Sequence, residues 1–108
     1  MSQLEIGKVA ALGVAQGAVG FRVPDDWAAH HGIEPGQVVY MTGALDGSIE
    51  CHLDERPWSK PVTFRLKGGR YPILTIPAHI ARTRCIEPKQ SLVLSVDAET
   101  GSLWIRKE

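Results

Sequence analysis

Phe21-Arg22-Val23-Pro24 and Leu74-Thr75-Ile76-Pro77 are the two stretches that decide the fold, because they are copies of one pattern. Each is a largely apolar run that ends at a proline, and the second proline lies 53 residues after the first. Gly32-Ile33-Glu34-Pro35 and Cys85-Ile86-Glu87-Pro88 repeat a second pattern at the same spacing of 53 residues. No insertion therefore separates the two landmarks. Two copies are too few for a solenoid, and we expect each unit to bury its apolar face against the other.

Each copy predicts the order strand, strand, short helix, strand, strand. The second strand ends at Pro24, because proline cannot donate a hydrogen bond to a sheet. Asp25 follows as the predicted N-cap of the helix, and the pair Asp46-Gly47 is typical of a hairpin tip. The predicted strands are 6–12, 19–23, 38–42, 49–53, 62–66, 71–76, 92–96 and 103–106, and the predicted helices are 25–31 and 78–84.

The two helices differ at the residue that should end them. Gly32 supplies the left-handed conformation that commonly stops a helix. Cys85 occupies the same place in the second copy, where a left-handed residue with a side chain costs about 1 kcal/mol. We therefore expect the second helix to end differently from the first.

The length and the repeat predict one domain, residues 1–108, made of repeat one (1–54) and repeat two (55–108) with a proline-bounded linker at 54–61. The net charge is zero, but the repeats differ. Repeat one carries two basic and seven acidic side chains, a net −5, whereas repeat two carries ten basic and five acidic side chains, a net +5. This split predicts a surface on repeat two that attracts polyanions. The alternatives are that the two halves attract each other, or that the charges are solvated and have no role in binding.

The sequence predicts a cytoplasmic protein without a membrane segment. It contains no run of about 18 apolar residues, and its first residues lack the basic start and apolar stretch of a signal peptide. Cys51 and Cys85 lie at non-equivalent places in the two repeats. We expect both to be reduced thiols rather than partners in a disulfide.

Enzyme motifs are missing from the sequence, and we predict no catalytic residue, no metal site and no cofactor. His30 and His31 are adjacent, which is not the i, i+4 spacing of a helical metal pair. Cys51 and His52 are neighbours on a predicted strand and should point to opposite faces, which argues against a thiol–imidazole pair. No phosphate loop, nucleophile elbow or dinucleotide fingerprint is present.

The stretch from Arg22-Val23-Pro24 to Gly32-Ile33-Glu34-Pro35-Gly36 resembles the AbrB/MazE/SpoVT family of swapped-hairpin DNA-binding domains. The family pattern is a glycine-containing loop, a strand ending in an R-I-P-like tripeptide, a short helix, a G-I-x-x-G-D-like turn and a hairpin with a D-G tip. Repeat two matches through Gly69-Arg70-Tyr71-Pro72, Leu74–Pro77, Ile86–Pro88 and Gly101. The chain departs from the pattern at Gln37 and Gln90, where the family commonly has aspartate, and at Lys89, which replaces a glycine.

The resemblance implies a mainly β fold with two short helices, in which tandem ββαββ repeats form one swapped-hairpin barrel. Family members usually carry one copy per chain and dimerise. Two copies in one chain therefore imply a pseudo-dimer, as in the MraZ-like proteins, that is either monomeric or forms a further homodimer. A double-psi β-barrel, which is built from a similar duplicated unit, is the alternative fold.

The resemblance also implies a DNA-binding transcriptional regulator whose partner is duplex DNA. In the family, basic residues of the first strand, first loop and second strand hold the DNA. Carried over by position, these are Lys8, Arg22, Lys60, Arg65, Lys67 and Arg70. Such side chains neutralise phosphates and release counterions. The matching loop of repeat one, 13–20, has no charge, so this chain would present one basic arm where a family dimer presents two.

Two functions from other classes are alternatives. One is a protein-interaction module, antitoxin-like or directed at a polymerase, that uses the acidic repeat and Trp58, because an aromatic ring in a proline-bounded linker is a candidate anchor for a protein partner. The other is a barrel that binds a small ligand. Trp27 and Trp104 are predicted to be core or barrel-lid residues.

Overall fold

The computed structural model describes residues 3–14 and 18–108, which form a mainly β structure with two short helices. The strands are β1 (Gln3–Ala10), β2 (Leu12–Gly13), β3 (Val19–Arg22), β4 (Val38–Gly43), β5 (Ile49–His52), β6 (Lys60–Thr63), β7 (Arg65–Lys67), β8 (Tyr71–Ile76), β9 (Ser91–Asp97) and β10 (Leu103–Lys107). The helices are α1 (Asp25–His30) and α2 (Ala78–Thr83). Neither helix is long and apolar enough to cross a lipid bilayer, a finding that covers these described residues.

The strands form two antiparallel sheets, and each sheet contains strands of both repeats. The larger sheet has the order β1-β9-β10-β5-β4-β6, and the smaller has the order β2-β3-β8-β7. Repeat one thus lends β1 to a strand of repeat two, and repeat two lends β6 to a strand of repeat one. Within the described part of the chain, neither sheet closes into a barrel, because each has two outer strands with a free edge.

The two exchanged pairings are copies of one another in register. Ala10 pairs with Ser91 at one edge of the larger sheet, and Val38 pairs with Thr63 at the other. Thr63 lies 53 residues after Ala10, and Ser91 lies 53 residues after Val38. The spacing found in the sequence is therefore also the spacing of the structure, which has an approximate two-fold axis between the repeats.

This axis passes between Phe21 and Leu74 in the smaller sheet. The two residues are equivalent by the 53-residue spacing, and they are also direct cross-strand partners of β3 and β8. Both are fully buried. They belong to one hydrophobic cluster that takes side chains from both sheets and both helices. Two copies of the unit thus share a single core, because neither has another surface on which to bury its apolar face.

The first predicted strand of each repeat is in fact two strands, because the chain changes sheet at a buried residue. Ala11 separates β1 from β2, and Phe64 separates β6 from β7. The Ala11 amide donates to the carbonyl of Gln90 (2.7 Å), and the Phe64 amide donates to the carbonyl of Gln37 (2.8 Å). Each crossing is thus held by a turn of the other repeat: the turn before β9 holds Ala11, and the turn before β4 holds Phe64.

The linker is shorter than the sequence indicated, since β6 begins at Lys60 and includes Pro61. The prolines led us to expect a loop up to residue 61. Proline is tolerated in β6 because this is an outer strand, where the missing N–H can face away from the ladder.

The N-cap prediction was wrong. The capping residue of α1 is Pro24, and Asp25 is the first helical residue, with no side-chain cap hydrogen bond. Its carboxylate lies instead 3.9 Å from the guanidinium of Arg22.

Each helix region is hydrogen-bonded to the hairpin formed by the last two strands of the other repeat, β9–β10 for α1 and β4–β5 for α2. His31, which directly follows α1, donates its ring Nε2–H to the carbonyl of Gly101 (3.0 Å), and Trp27 Nε1–H donates to the same oxygen (2.8 Å). Arg84, which directly follows α2, donates from its guanidinium to the carbonyl of Ala44 (2.9 Å). His31 and Arg84 are equivalent by the 53-residue spacing. The helices therefore connect the repeats as well as covering the core.

The second helix ends like the first, contrary to our expectation. Cys85 has φ of 55°, close to the 63° of Gly32, and Lys89 has φ of 74° where Gly36 has 96°. The backbone of repeat two thus keeps the left-handed turns although both glycines have been replaced. The Lys89 amide donates to the carbonyl of Ala11 in repeat one (2.8 Å), whereas the amides of Cys85 and Ile86 donate within repeat two, to the carbonyls of Arg82 (3.1 Å) and Ala81 (2.9 Å), and these bonds hold the two turns in place.

Cys85→Gly should therefore stabilise the protein. Relief of the left-handed conformation contributes about 1–2 kcal/mol, and the greater freedom of glycine in the unfolded chain removes about half of this. We expect a net gain of about 0.5–1 kcal/mol in the free energy of unfolding, measured by urea denaturation. The control His79→Gly, on an exposed helical position, should lower it by about 1 kcal/mol. A Cys85→Gly variant less stable than the native chain would contradict the left-handed assignment.

Candidate nucleic-acid interface

Three of the six predicted DNA-binding residues lie on one face of the smaller sheet. Arg22 on β3 and Arg65 on β7 both pair with Ile73 on β8, so the three side chains form a row on one face. Lys67 pairs with Tyr71, which lies two residues before Ile73 on the same face. We call this surface the basic face; it carries Arg22, Arg65 and Lys67, with Arg70 in the adjoining turn. All four cationic residues are exposed.

The basic face crosses the boundary between the repeats. The guanidinium of Arg22, from repeat one, lies over the ring of Tyr71, from repeat two, with its central carbon 5.0 Å from the ring centroid. A guanidinium stacked on an aromatic face keeps its charge and its outward N–H donors. Arg65 donates to the hydroxyl of Thr75 (3.3 Å) on the same face. Arg22, the basic residue of β3 in repeat one, thus joins the cations of repeat two on this face.

Arg70 is presented by a tight turn. Gly68 and Gly69 have φ of 60° and 69°, and the Arg70 amide donates to the carbonyl of Lys67 (3.1 Å). Two consecutive left-handed residues are the geometry of a type I′ turn, which glycine adopts without strain, and together with Arg70 they form the three-residue loop between β7 and β8. Both glycines are exposed. The turn therefore projects Lys67 and Arg70 together from the end of the sheet, with an open backbone between them.

Lys8 and Lys60 do not belong to the basic face. They lie on β1 and β6, the two outer strands of the larger sheet. Lys8 forms an ion pair with Glu108, which raises the pKa of the lysine and lowers that of the glutamate, chiefly through their hydrogen bond. Position along the sequence placed both residues with the others, but the change of sheet at Ala11 and Phe64 separates them.

The segment of repeat one that corresponds to β7 is apolar. By the 53-residue spacing, Leu12 corresponds to Arg65 and Val14 to Lys67. Gly17, the counterpart of Arg70, lies outside the described residues. The basic face is therefore strongly basic along β7 and uncharged along β2.

A groove of about 310 Å³ lies on this face between the two outer strands of the smaller sheet. Leu12 and Val14 line it from β2 and the following residue, Arg65 and Lys67 line it from β7, and Ile73 lines it from β8. The groove is thus apolar on the side of repeat one, and on the side of repeat two it is lined by two cations and the apolar side chain of Leu66. The sequence did not reveal the groove, because only the register of the strands brings Leu12, Ile73 and Arg65 to the same face of the sheet.

Trp58 lies apart from this face, in the linker between β5 and β6. It is 83% exposed. The other tryptophans are more covered: Trp27 is 5% exposed in the core, and Trp104 on β10 is half-buried. The two cysteines are free thiols, Cys51 buried and Cys85 exposed, and burial strongly raises the pKa of Cys51.

The histidines lie in different settings. His52 is buried and bonds to the hydroxyl of Thr42 (2.8 Å) and to the carbonyl of Asp54 (2.7 Å), and His31 bonds to Gly101 as described above. Within residues 3–14 and 18–108, no group of three or more His, Cys, Asp or Glu side chains is placed to hold a metal ion.

The chain matches no protein-family model, no curated protein and no solved structure. The assignment of a function therefore depends on the chemistry of the surfaces described above.

Proposed function

We propose that this protein is a DNA-binding transcriptional regulator whose two repeats form a pseudo-dimer of the swapped-hairpin, AbrB/MazE-like type. The exchange of β1 and β6 between the repeats, with equivalent registers, supports this fold assignment. The two glutamines that depart from the family pattern, Gln37 and Gln90, also support this fold assignment. The side-chain oxygens of Gln37 and Gln90 accept hydrogen bonds from the amides of Glu34 (2.6 Å) and Glu87 (2.9 Å), a bond that an aspartate could also accept.

The observation that carries the proposal is the concentration of cations on one exposed sheet face. Residues 60–77 contain four basic side chains and no acidic one. Three of these, together with Arg22, form the basic face and its adjoining turn. Exposed lysine and arginine side chains at these positions would contact phosphates, which gives affinity without sequence choice. The protruding turn at Gly68-Gly69 would let Arg70 reach into a groove of the duplex.

One basic arm predicts asymmetric contact with DNA. A symmetric dimer has two equal arms and recognises two related half-sites. Here only β7 and its turn are charged, while Leu12 and Val14 present an apolar surface at the equivalent place. We expect one chain to cover a single site without inverted symmetry.

The salt dependence of binding to a short random duplex tests the proposal. Four cations that contact phosphates predict a slope of about −3 to −4 in a plot of log affinity against log salt concentration. Lys67→Ala and Arg70→Ala should each reduce the steepness by about 0.9. Fluorescence anisotropy with a labelled duplex gives both quantities.

Arg106→Ala is the matched control, since this exposed arginine lies on β10 in the other sheet. Its slope should equal that of the native chain. A salt-independent signal, or no binding at low salt with excess duplex, would rule out this function.

A further inference from the structure

Trp58 is displayed by a turn that is held rigidly. The amide of Arg56 donates to the hydroxyl oxygen of Ser59 (3.0 Å), and the Ser59 hydroxyl and amide both donate to the carbonyl of Arg56 (2.7 and 3.1 Å). The residue between Arg56 and Trp58 is Pro57, whose fixed φ suits this position in a turn. The indole thus projects from a closed four-residue loop, which we call the Trp58 turn (Arg56–Ser59).

Two carboxylates anchor the base of this turn. The Arg56 guanidinium donates to Glu50 (2.8 Å) and to Asp54 (2.9 Å). The hydrogen bond from Arg56 is the main reason that the pKa of Asp54 is lowered, so this carboxylate stays ionised. Asp54 and Glu55 are exposed next to the turn. The backbone that carries the apolar ring is therefore fixed beside negative charge, and little backbone entropy would be lost when the turn binds.

The groove of the basic face carries positive charge where the Trp58 turn carries negative charge, and it also has an apolar surface. Its apolar wall and floor, Leu12, Val14 and Ile73, can cover an aromatic ring, and its other wall offers Arg65 and Lys67 to carboxylates. Its volume of about 310 Å³ is sufficient for an indole side chain. The Trp58 turn and the groove are thus complementary in size, in polarity and in charge.

We propose that the groove of the basic face binds the Trp58 turn of a second copy of this chain. The turn does not occupy the groove of its own chain, because Trp58 is 83% exposed and β6, which follows it, is fixed by pairing with β4. The contact is heterologous, since the two copies use different surfaces. Such a contact leaves a free turn at one end and a free groove at the other, and it extends into open chains or rings. This proposal does not depend on DNA binding.

Sedimentation velocity of the full chain without DNA tests the proposal. One ring in one groove gives a small interface, so we expect a Kd on the order of 100 µM, detectable between about 1 µM and 1 mM. The weight-average mass should rise with concentration at low salt and rise less at high salt. Trp58→Ala and Arg65→Glu should each remain monomeric, and unfolding curves would show that both variants are folded. Leu45→Ala removes another fully exposed apolar side chain and should associate like the native chain.

Mixing the two defective variants provides the decisive measurement. Trp58→Ala keeps an intact groove, and Arg65→Glu keeps an intact Trp58 turn. A head-to-tail contact therefore predicts that the mixture forms heterodimers, with the same Kd as the native contact, and does not proceed to longer chains. A native chain that stays monomeric across the concentration range would overturn the proposal. So would association of Trp58→Ala alone, or a mixture without heterodimers.

Discussion

Replacement of Phe21 by alanine should lower the free energy of unfolding by about 3–5 kcal/mol. The ring is fully buried on β3, directly opposite the fully buried Leu74 of β8, where the approximate two-fold axis passes through the core. Its removal leaves a cavity that the surrounding side chains cannot fill by moving outward, because neighbours on both sheets are also fully buried. Urea denaturation followed by far-UV circular dichroism measures the loss.

Leu45→Ala is the control for this experiment. Leu45 is fully exposed in the β4–β5 turn, so its truncation should change the free energy of unfolding by less than about 0.5 kcal/mol. Phe21→Leu, which copies the residue found at the equivalent place of repeat two, should cost less than Phe21→Ala. A loss below about 1.5 kcal/mol for Phe21→Ala would mean that the two repeats do not share their core at this position.

The double variant Arg65→Glu/Lys67→Glu should lower the affinity for a random DNA duplex by about 100-fold or more at low salt. Each substitution removes one phosphate contact and places a negative charge opposite the DNA backbone, so both attraction and counterion release are lost. Both side chains are exposed on β7, and we expect the fold to tolerate their replacement. Anisotropy titrations at several salt concentrations should show a less steep salt dependence as well as weaker binding.

Arg82→Glu/Arg106→Glu is the matched control, because it changes the net charge by the same amount at exposed positions on α2 and β10. In this control the new carboxylates lie away from the basic face, so only screened, long-range repulsion of the DNA should act. The affinity for the duplex should therefore fall by only about a few-fold. Equal losses in the two double variants would show that binding follows net charge and that the basic face is not a site.

The sequence predicted the elements of the fold well because their boundaries depend on local chemistry. Pro24 and Pro77 end strands by removing a donor, and the strand 71–76 and the helix start at residue 78 were confirmed. The buried crossings at Ala11 and Phe64 were not predicted. An apolar residue inside an apolar strand gives no local signal that the chain changes sheet, since the change is imposed by pairing with the other repeat.

The left-handed conformation of Cys85 was also missed. Local preference argues against φ of 55° at a residue with a Cβ, but the backbone of repeat two keeps the turn that ends the first helix, with bonds from the amides of Cys85 and Ile86 to the carbonyls of Arg82 (3.1 Å) and Ala81 (2.9 Å). The surface that carries our functional proposal could be predicted only in part. Basic side chains are visible in the sequence, but the row Arg22–Ile73–Arg65 exists only because β3, β8 and β7 pair in one register.

The interleaving of outer strands has a consequence for fragments of the protein. A polypeptide cut within the linker would leave β1 and β6 each needing a neighbour from the other piece. We expect neither fragment to be stable alone, because each would leave an outer strand of the larger sheet unpaired, but each offers the surface that completes the other. The exposed Trp58 turn is thus a natural place to divide the chain into two parts that regain structure only on meeting, which makes the fold a candidate split reporter.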